Sequence, residues 1–144
     1  MANITKFLSP NAYTALEGKP VVAQKKIDFS KVNAASGDTA DALRIPKGAF
    51  VTKVGFIVHR TQDTVTIGVG DQDTAAQYLA ATALTDVKAD ADAPEGGVFS
   101  LTATQKFYPT ENTIRLVIGG ASATTAVITV IAEYYQVAAT AISE

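Results

Sequence analysis

A chain of 144 residues has the length of one domain and can bury roughly 70% of the surface its unfolded form exposes; its core needs no metal or disulfide, and with no cysteine in the sequence no disulfide is available. A formal net charge of −2 excludes the basic footprint of a nucleic-acid binder, and the missing cysteines fit folding in a reducing cytoplasm. Charged residues make up only 18%, below the usual quarter; Thr, Ala, Gly and Ser replace them, and such surfaces desolvate easily, which favours extensive contacts.

Residues 1–19 read as an irregular segment broken by Pro10 and Gly18, with Ile4, Phe7, Leu8, Tyr13 and Leu16 as its apolar side chains. They form no apolar run of the secretory type. We expect this segment to be an arm that docks on a partner or a cover for an open sheet edge, and residues 20–144 to form a β-sandwich domain. The weakly polar stretch 121–132 carries several threonines and is too short to span a bilayer, so a soluble chain with no membrane partner is expected.

From residue 21 onward the dominant signal is period-two alternation with β-branched enrichment. Val21–Phe29, about Ala40–Ile45, Phe50–His59 and Val65–Val69 read as strands. Val54, Phe56 and Val58 share one face, as do Val65, Ile67 and Val69. Asn33–Asp38 reads as a loop and Pro46-Lys47-Gly48 as a tight turn, with Thr61-Gln62-Asp63 a hairpin. The segment 74–83, rich in alanine and preceded by Asp73-Thr74 as a cap, predicts one short helix. Asp86–Gly97 reads as an acidic exposed loop, and Val98–Phe107 as a further strand. Ile114, Leu116 and Ile118 repeat the buried alternation, and Gly119–Ser122 reads as a second hairpin tip. The last strand, Ala126–Val137, buries Ile128, Val130, Ala132 and Tyr134 and turns Thr129, Glu133 and Tyr135 to solvent or a partner. Short strands at regular spacing predict an all-β, antiparallel β-sandwich rather than βαβ units.

Chemistry-bearing residues are sparse. His59 is the only histidine, no Gly-x-Ser-x-Gly elbow accompanies it, and one histidine without cysteine cannot supply the usual zinc ligands. Gly68-Val69-Gly70-Asp71-Gln72-Asp73 lacks the third glycine and the lysine of a phosphate loop, so its glycines read as a bulge or a close backbone approach. Asp71 and Asp73 begin a calcium-loop pattern that Ala75 leaves incomplete; a cap and solvated loop is the better reading, and whether they hold a cation stays open. Asp90 and Asp92 lie in a solvated Ala/Asp segment, and Lys19, Lys25 and Lys26 are too few for a nucleic-acid footprint. No catalytic, cofactor-binding or metal site is assigned, and no enzyme is expected.

The order Leu43-Arg44-Ile45-Pro46-Lys47-Gly48-Ala49-Phe50-Val51, Val54-Gly55-Phe56-Ile57-Val58, Val65–Asp73, Gln77-Tyr78-Leu79, Asn112-Thr113-Ile114-Arg115-Leu116 and Ala126–Val137 resembles small virion proteins of tailed bacteriophages. It resembles in particular jelly-roll cement (decoration) proteins and, in size and layout, the cement protein of Bordetella-type podoviruses, over roughly residues 20 to 137. The resemblance implies a jelly-roll sandwich without catalysis or cofactor. It also implies a homodimer made in the bacterial host cytoplasm and placed on the capsid exterior, where it bridges subunits of the major capsid protein. Ile4, Phe7, Leu8, Tyr13, Leu16 and Tyr135 are the interface candidates. A fibre component would carry repeats that this chain lacks. A carbohydrate-binding sandwich is the alternative, which aromatics clustered on one sheet face would favour; here most aromatics fit core positions. A cupin-type enzyme needs clustered histidines.

Overall fold

The structure, a computed structural model, describes residues 19–90, 92–100 and 104–137. Among these residues nine strands run in chain order: β1 (Pro20–Asp28), β2 (Thr39–Ile45), β3 (Ala49–Arg60), β4 (Thr66–Asp71), β5 (Leu79–Ala83), β6 (Gly96–Phe99), β7 (Lys106–Tyr108), β8 (Asn112–Gly119) and β9 (Val127–Gln136). One turn of helix, α1 (Leu84–Val87), follows β5. Every pairing among the described strands is antiparallel.

Sheet 1 has the order β1-β9-β3-β6, with β7 also paired to β3, and sheet 2 has the order β2-β8-β4-β5. The pairs are nested: β4 with β5, β3 with β6, β2 with β8 and β1 with β9. That nesting is one long antiparallel hairpin rolled into two layers, a jelly roll. It leaves β1 and β2 as the open edges on one side of the sandwich.

The alternation read from sequence decides what lies between the layers. Val54, Phe56 and Val58 of β3, Ile67 and Val69 of β4 with Val65 just before it, Ile114, Leu116 and Ile118 of β8, and Ile128, Val130 and Ala132 of β9 are all fully buried. Their neighbours Thr113, Arg115 and Val117 stay partly exposed. At about 1.5–3 kcal/mol per fully buried Val, Ile, Leu or Phe side chain, these residues supply the main driving force for pairing the layers.

Three expectations are corrected. The helix expected at 74–83 is not formed: residues 79–83 are the edge strand β5, and the helical turn lies beyond it at Leu84–Val87. The alanine run favours a helix only weakly, whereas pairing to β4 lets the Tyr78 N–H donate to Val69 O at 3.0 Å and buries the Tyr78 ring. The presumed cap is also displaced, because Asp71 rather than Asp73 accepts the N–H groups of Asp73 and Thr74. Thr61–Asp63 and Gly119–Ser122 are not hairpin tips, since β3 and β4, like β8 and β9, belong to different sheets. They are corners where the chain crosses the core, and local turn residues carry the same signature in either case. The corners are held together by Gln62. Its amide donates to Ser122 O at 2.8 Å, and its Oε1 accepts from the N–H groups of Thr124, Thr125 and Ala126. Finally, Val98–Phe107 is not one strand but contains the end of β6 and the start of β7, both on β3.

The glycine pair of β4 behaves as expected. The β4–β5 register shifts between Ile67 and Val69, at Gly68. A Cβ on Gly70 would strike the backbone carbonyls of Thr74 and Ala75.

Candidate functional site

The polar residues singled out above are tied into the fold. Asp71, at the end of β4 and 2% exposed, accepts hydrogen bonds at Oδ1 from the N–H groups of Asp73 and Thr74, at 2.9 and 2.8 Å. Its Oδ2 accepts from Lys106 Nζ at 2.7 Å and Tyr108 OH at 2.6 Å, both on β7 of the opposite sheet. The Tyr108 oxygen lies 2.5 Å from Tyr78 OH; as its own proton goes to Asp71, Tyr78 is the donor. Asn112 closes the cluster by donating to Asp73 Oδ2 at 3.0 Å and accepting from the N–H of Gln72.

Burial alone would raise the Asp71 pKa, but the hydrogen bonds from Lys106, Tyr108 and the two amides outweigh it and hold the carboxyl below its usual range. Burial pushes the Tyr78 hydroxyl up to about 12 and, with the bond to Asp71, pushes Tyr108 up as well. None of these three groups is poised near neutral pH as a general acid or base would be. All four donors to Asp71 come from the protein, so a cation could reach this carboxylate only by displacing them. The cluster is a lock between sheets. Among the described residues, no three His, Asp or Glu side chains converge as a metal-ligand set.

His59 bonds Thr129 Oγ1 through Nε2 at 2.7 Å and meets Glu95 Oε2 through Nδ1 at 3.1 Å. Both ring nitrogens are thus used in joining β3, β9 and the segment before β6. Asp92 offers its own N–H to Asp90 Oδ1, a local turn.

The outer faces of the two sheets differ in chemistry. That of sheet 2 is small and polar, with Thr66, Gly68, Thr113 and the Asp41–Arg115 pair at 2.7 Å. That of sheet 1 carries two rows with aromatics, separated by a row of Val22, Glu133 and Lys53. Register places Pro20, Tyr135, Phe50 and Phe107 directly opposite one another on β1, β9, β3 and β7, and residues so placed have Cβ atoms about 4.5–5.5 Å apart. A second row holds Gln24, Ile131, Gly55 and Phe99. Gly55 is what lets Phe99 lie flat, because a Cβ there would run into the Phe99 ring and the backbone of β6. Lys53 Nζ sits 5.4 Å from the Phe99 ring centre. Phe107 is 41% exposed, Phe99 37% and Val22, in the intervening row, 60%.

Of the interface candidates, Tyr135 therefore lies in an aromatic row, while Tyr134 packs against the core. Ile4, Phe7, Leu8, Tyr13 and Leu16 fall outside the described residues. The expectation that most aromatics are core holds for Phe29, Phe56, Tyr78 and Tyr108 but missed the outward set of Phe50, Phe99, Phe107 and Tyr135. Their separate strands gave no contiguous motif; the signal available was an aromatic in phase with the polar, not the apolar, side of each alternation.

No protein-family model matches the chain, and no curated protein matches its sequence. Its fold is similar to that of chains in three phage capsid structures. For cyanophage Pam1 the TM-score is 0.63 at 20% identity, covering 88% of this chain and 94% of that one. For Ralstonia phage GP4 it is 0.62 at 17% identity, covering 88% and 90%. For Helicobacter pylori bacteriophage KHP30 it is 0.62 at 16% identity, covering 83% and 89%. The likeness runs nearly the full length of both partners in each case, so what is shared is the whole jelly roll rather than a fragment of it.

Proposed function

We propose that this chain is a structural protein of a tailed-phage virion that seats on the outside of the capsid and bridges neighbouring subunits of the major capsid protein, performing no chemistry. The observation that carries this reading is the pair of aromatic-bearing rows on the outer face of sheet 1, presented by a sandwich whose buried polar groups are committed to holding it rigid. The likeness in fold to chains of three phage capsids, over 83–88% of this chain, supports it. Four strands at about 4.8 Å spacing and a ten-residue β9 at about 3.4 Å per residue make a face of roughly 650 Å². That is close to the roughly 800 Å² per partner of a standard stable contact. Binding the assembled shell but not its free subunits stabilises the shell by mass action.

Residues 1–19, with Ile4, Phe7, Leu8, Tyr13 and Leu16, enter this proposal as an arm. They join the sheet at Pro20, beside Tyr135 in the aromatic row. A homodimer is the free form we propose.

Cosedimentation with capsids lacking the protein tests the reading. The wild type is expected to pellet with them, and F107D to melt like the wild type yet stay in the supernatant. Undiminished pelleting of F107D would refute docking through this face. Removing residues 2–18 is expected to leave a folded chain that no longer binds; loss of folding would mean that the segment covers its own sheet edge.

The clustering of four aromatics on one face also favours a second reading, a carbohydrate-binding module. Against it, Phe50, Phe99 and Phe107 lack a polar tip for sugar hydroxyls, and the chain has no tryptophan. Retention on a glycan array without capsid binding would reverse the order.

A further inference from the structure

At the open side of the sandwich, where β1 ends one sheet and β2 the other, lies a cleft of about 520 Å³ walled by Lys25, Lys26, Lys31, Asp28 and Asp41. Its two acids already have partners. Asp28 Oδ1 accepts from the Ser30 hydroxyl at 2.6 Å and the Ser30 N–H at 2.9 Å, and these bonds hold its carboxyl below the usual range. Asp41 is paired with Arg115 at 2.7 Å. The three lysines are exposed, and among the described residues none has an ion-pair or hydrogen-bond partner. Ser30 is neutral, so the cleft sets three lysines against the Asp28 carboxylate and an Asp41 already paired with Arg115, a net positive lining on a chain whose net charge is −2.

Lys25 and Lys26 lie on the edge strand β1, with Lys31 just beyond it, and among the described residues no strand pairs with the side of β1 facing away from β9. Lysines on an edge repel a like strand, so a second copy of β1 laid alongside would bring ammonium groups together. An acidic strand meets the opposite condition, since opposite charges directly across a ladder are stabilising. Adjacent Lys25 and Lys26 point to opposite sides of the strand, so carboxylates at neighbouring positions of an added strand would meet both. Ile27, Val32 and Ala40 complete the lining and give apolar side chains of such a strand a place to rest. A nucleic acid would use the charge but neither the sheet edge nor the apolar lining.

We propose that this cleft receives an extended acidic segment of a capsid subunit, added as a strand along the edge of β1; the identity of the partner rests on the capsid reading above, the chemistry of the cleft does not. Addition of a strand to an exposed sheet edge takes affinity from main-chain hydrogen bonds and specificity from side-chain placement, and here the lysines supply the selection.

The test uses the full chain in two arms. In the first, K25E/K26E/K31E and K25Q/K26Q/K31Q are sedimented with capsids. Both are expected to retain the wild-type circular dichroism, with affinity falling about tenfold or more for the charge reversal and less for the neutral set, and wild-type binding is expected to weaken as salt rises. Wild-type affinity in the reversed variant would overturn the cleft while leaving the capsid reading standing. In the second arm, a capped peptide of alternating Glu and Val is titrated into isotope-labelled protein. Amide shifts confined to residues 21–32 and 40–41, absent with the Lys-for-Glu peptide, are expected. No shift there would overturn the cleft, and this arm stays decisive even if the wild type fails to bind capsids, a result that would sink the capsid reading instead. Equal shifts with an oligodeoxynucleotide of the same charge would also overturn it, marking a general polyanion site.

Discussion

Replacing Asp71 by asparagine tests whether the buried cluster holds the sheets together. Asparagine can keep an oxygen toward the N–H groups of Asp73 and Thr74, but its NH2 then faces Lys106 Nζ, which loses its acceptor, and Tyr108 OH, which must turn its proton to Tyr78 to accept from it. Removing one partner of a buried ion pair costs about 3–5 kcal/mol. Lys106 is 28% exposed in its side chain and can turn its ammonium to water, so the lower end applies, about 3 kcal/mol. For a domain near 150 residues that corresponds to a melting point about 10 °C lower. The effect also depends on pH. Asp71 has a folded pKa held below its ordinary 3.8, so its contribution is fully present above that value and is lost as pH falls through the depressed one. Urea unfolding followed by circular dichroism should show the full difference between wild type and D71N at neutral pH, and a shrinking one below pH 3.8. A D71N protein within about 0.5 kcal/mol of wild type at neutral pH, the range of an ordinary surface substitution, would refute the lock.

Other consequences follow from single contacts. Gly55→Ala places a Cβ against the backbone of β6 and the ring of Phe99, and should destabilise by about 1–3 kcal/mol as an overpacked site, with a matching fall in thermal midpoint. Gln62→Ala frees the N–H groups of residues 124–126; the site is half-exposed and water can replace the acceptor, so about 1 kcal/mol is expected. Hydrogen exchange should accelerate at 124–126 and little elsewhere, while Gln62→Glu, which keeps the acceptor, should protect most of it. His59 holds the Glu95 carboxyl below its usual range chiefly through their hydrogen bond, so His59→Ala should return the Glu95 titration, followed by carbon NMR, upward toward the ordinary value.

Most strands were legible because a sandwich imposes period two on any strand with one buried face. Val54, Phe56 and Val58 could be assigned to the core without knowing what they would meet. The segment 74–83 was not legible in this way. Its alanines carry a local preference for helix, and the interaction that overrides it, pairing with β4 and burial of the Tyr78 ring beside Tyr108, joins residues 30 positions apart. The corners at 61–63 and 119–122 failed for a related reason: a turn sequence says that the chain reverses, not which sheet it enters next.

The sequence by itself determined that this is an all-β chain with alternating strands and a well-supplied apolar core, and that it has too few histidines and no cysteines for common catalytic or zinc sites. Only the tertiary structure decided that the strands nest as a jelly roll and that Asp71, Lys106, Tyr108 and Tyr78 meet inside it. The same holds for Pro20, Tyr135, Phe50 and Phe107, which form a row only because four strands pair in one register. Side-chain alternation is a local consequence of backbone geometry and is written along the chain. Register between strands tens of residues apart is a property of long-range pairing, and no local stretch of sequence encodes it.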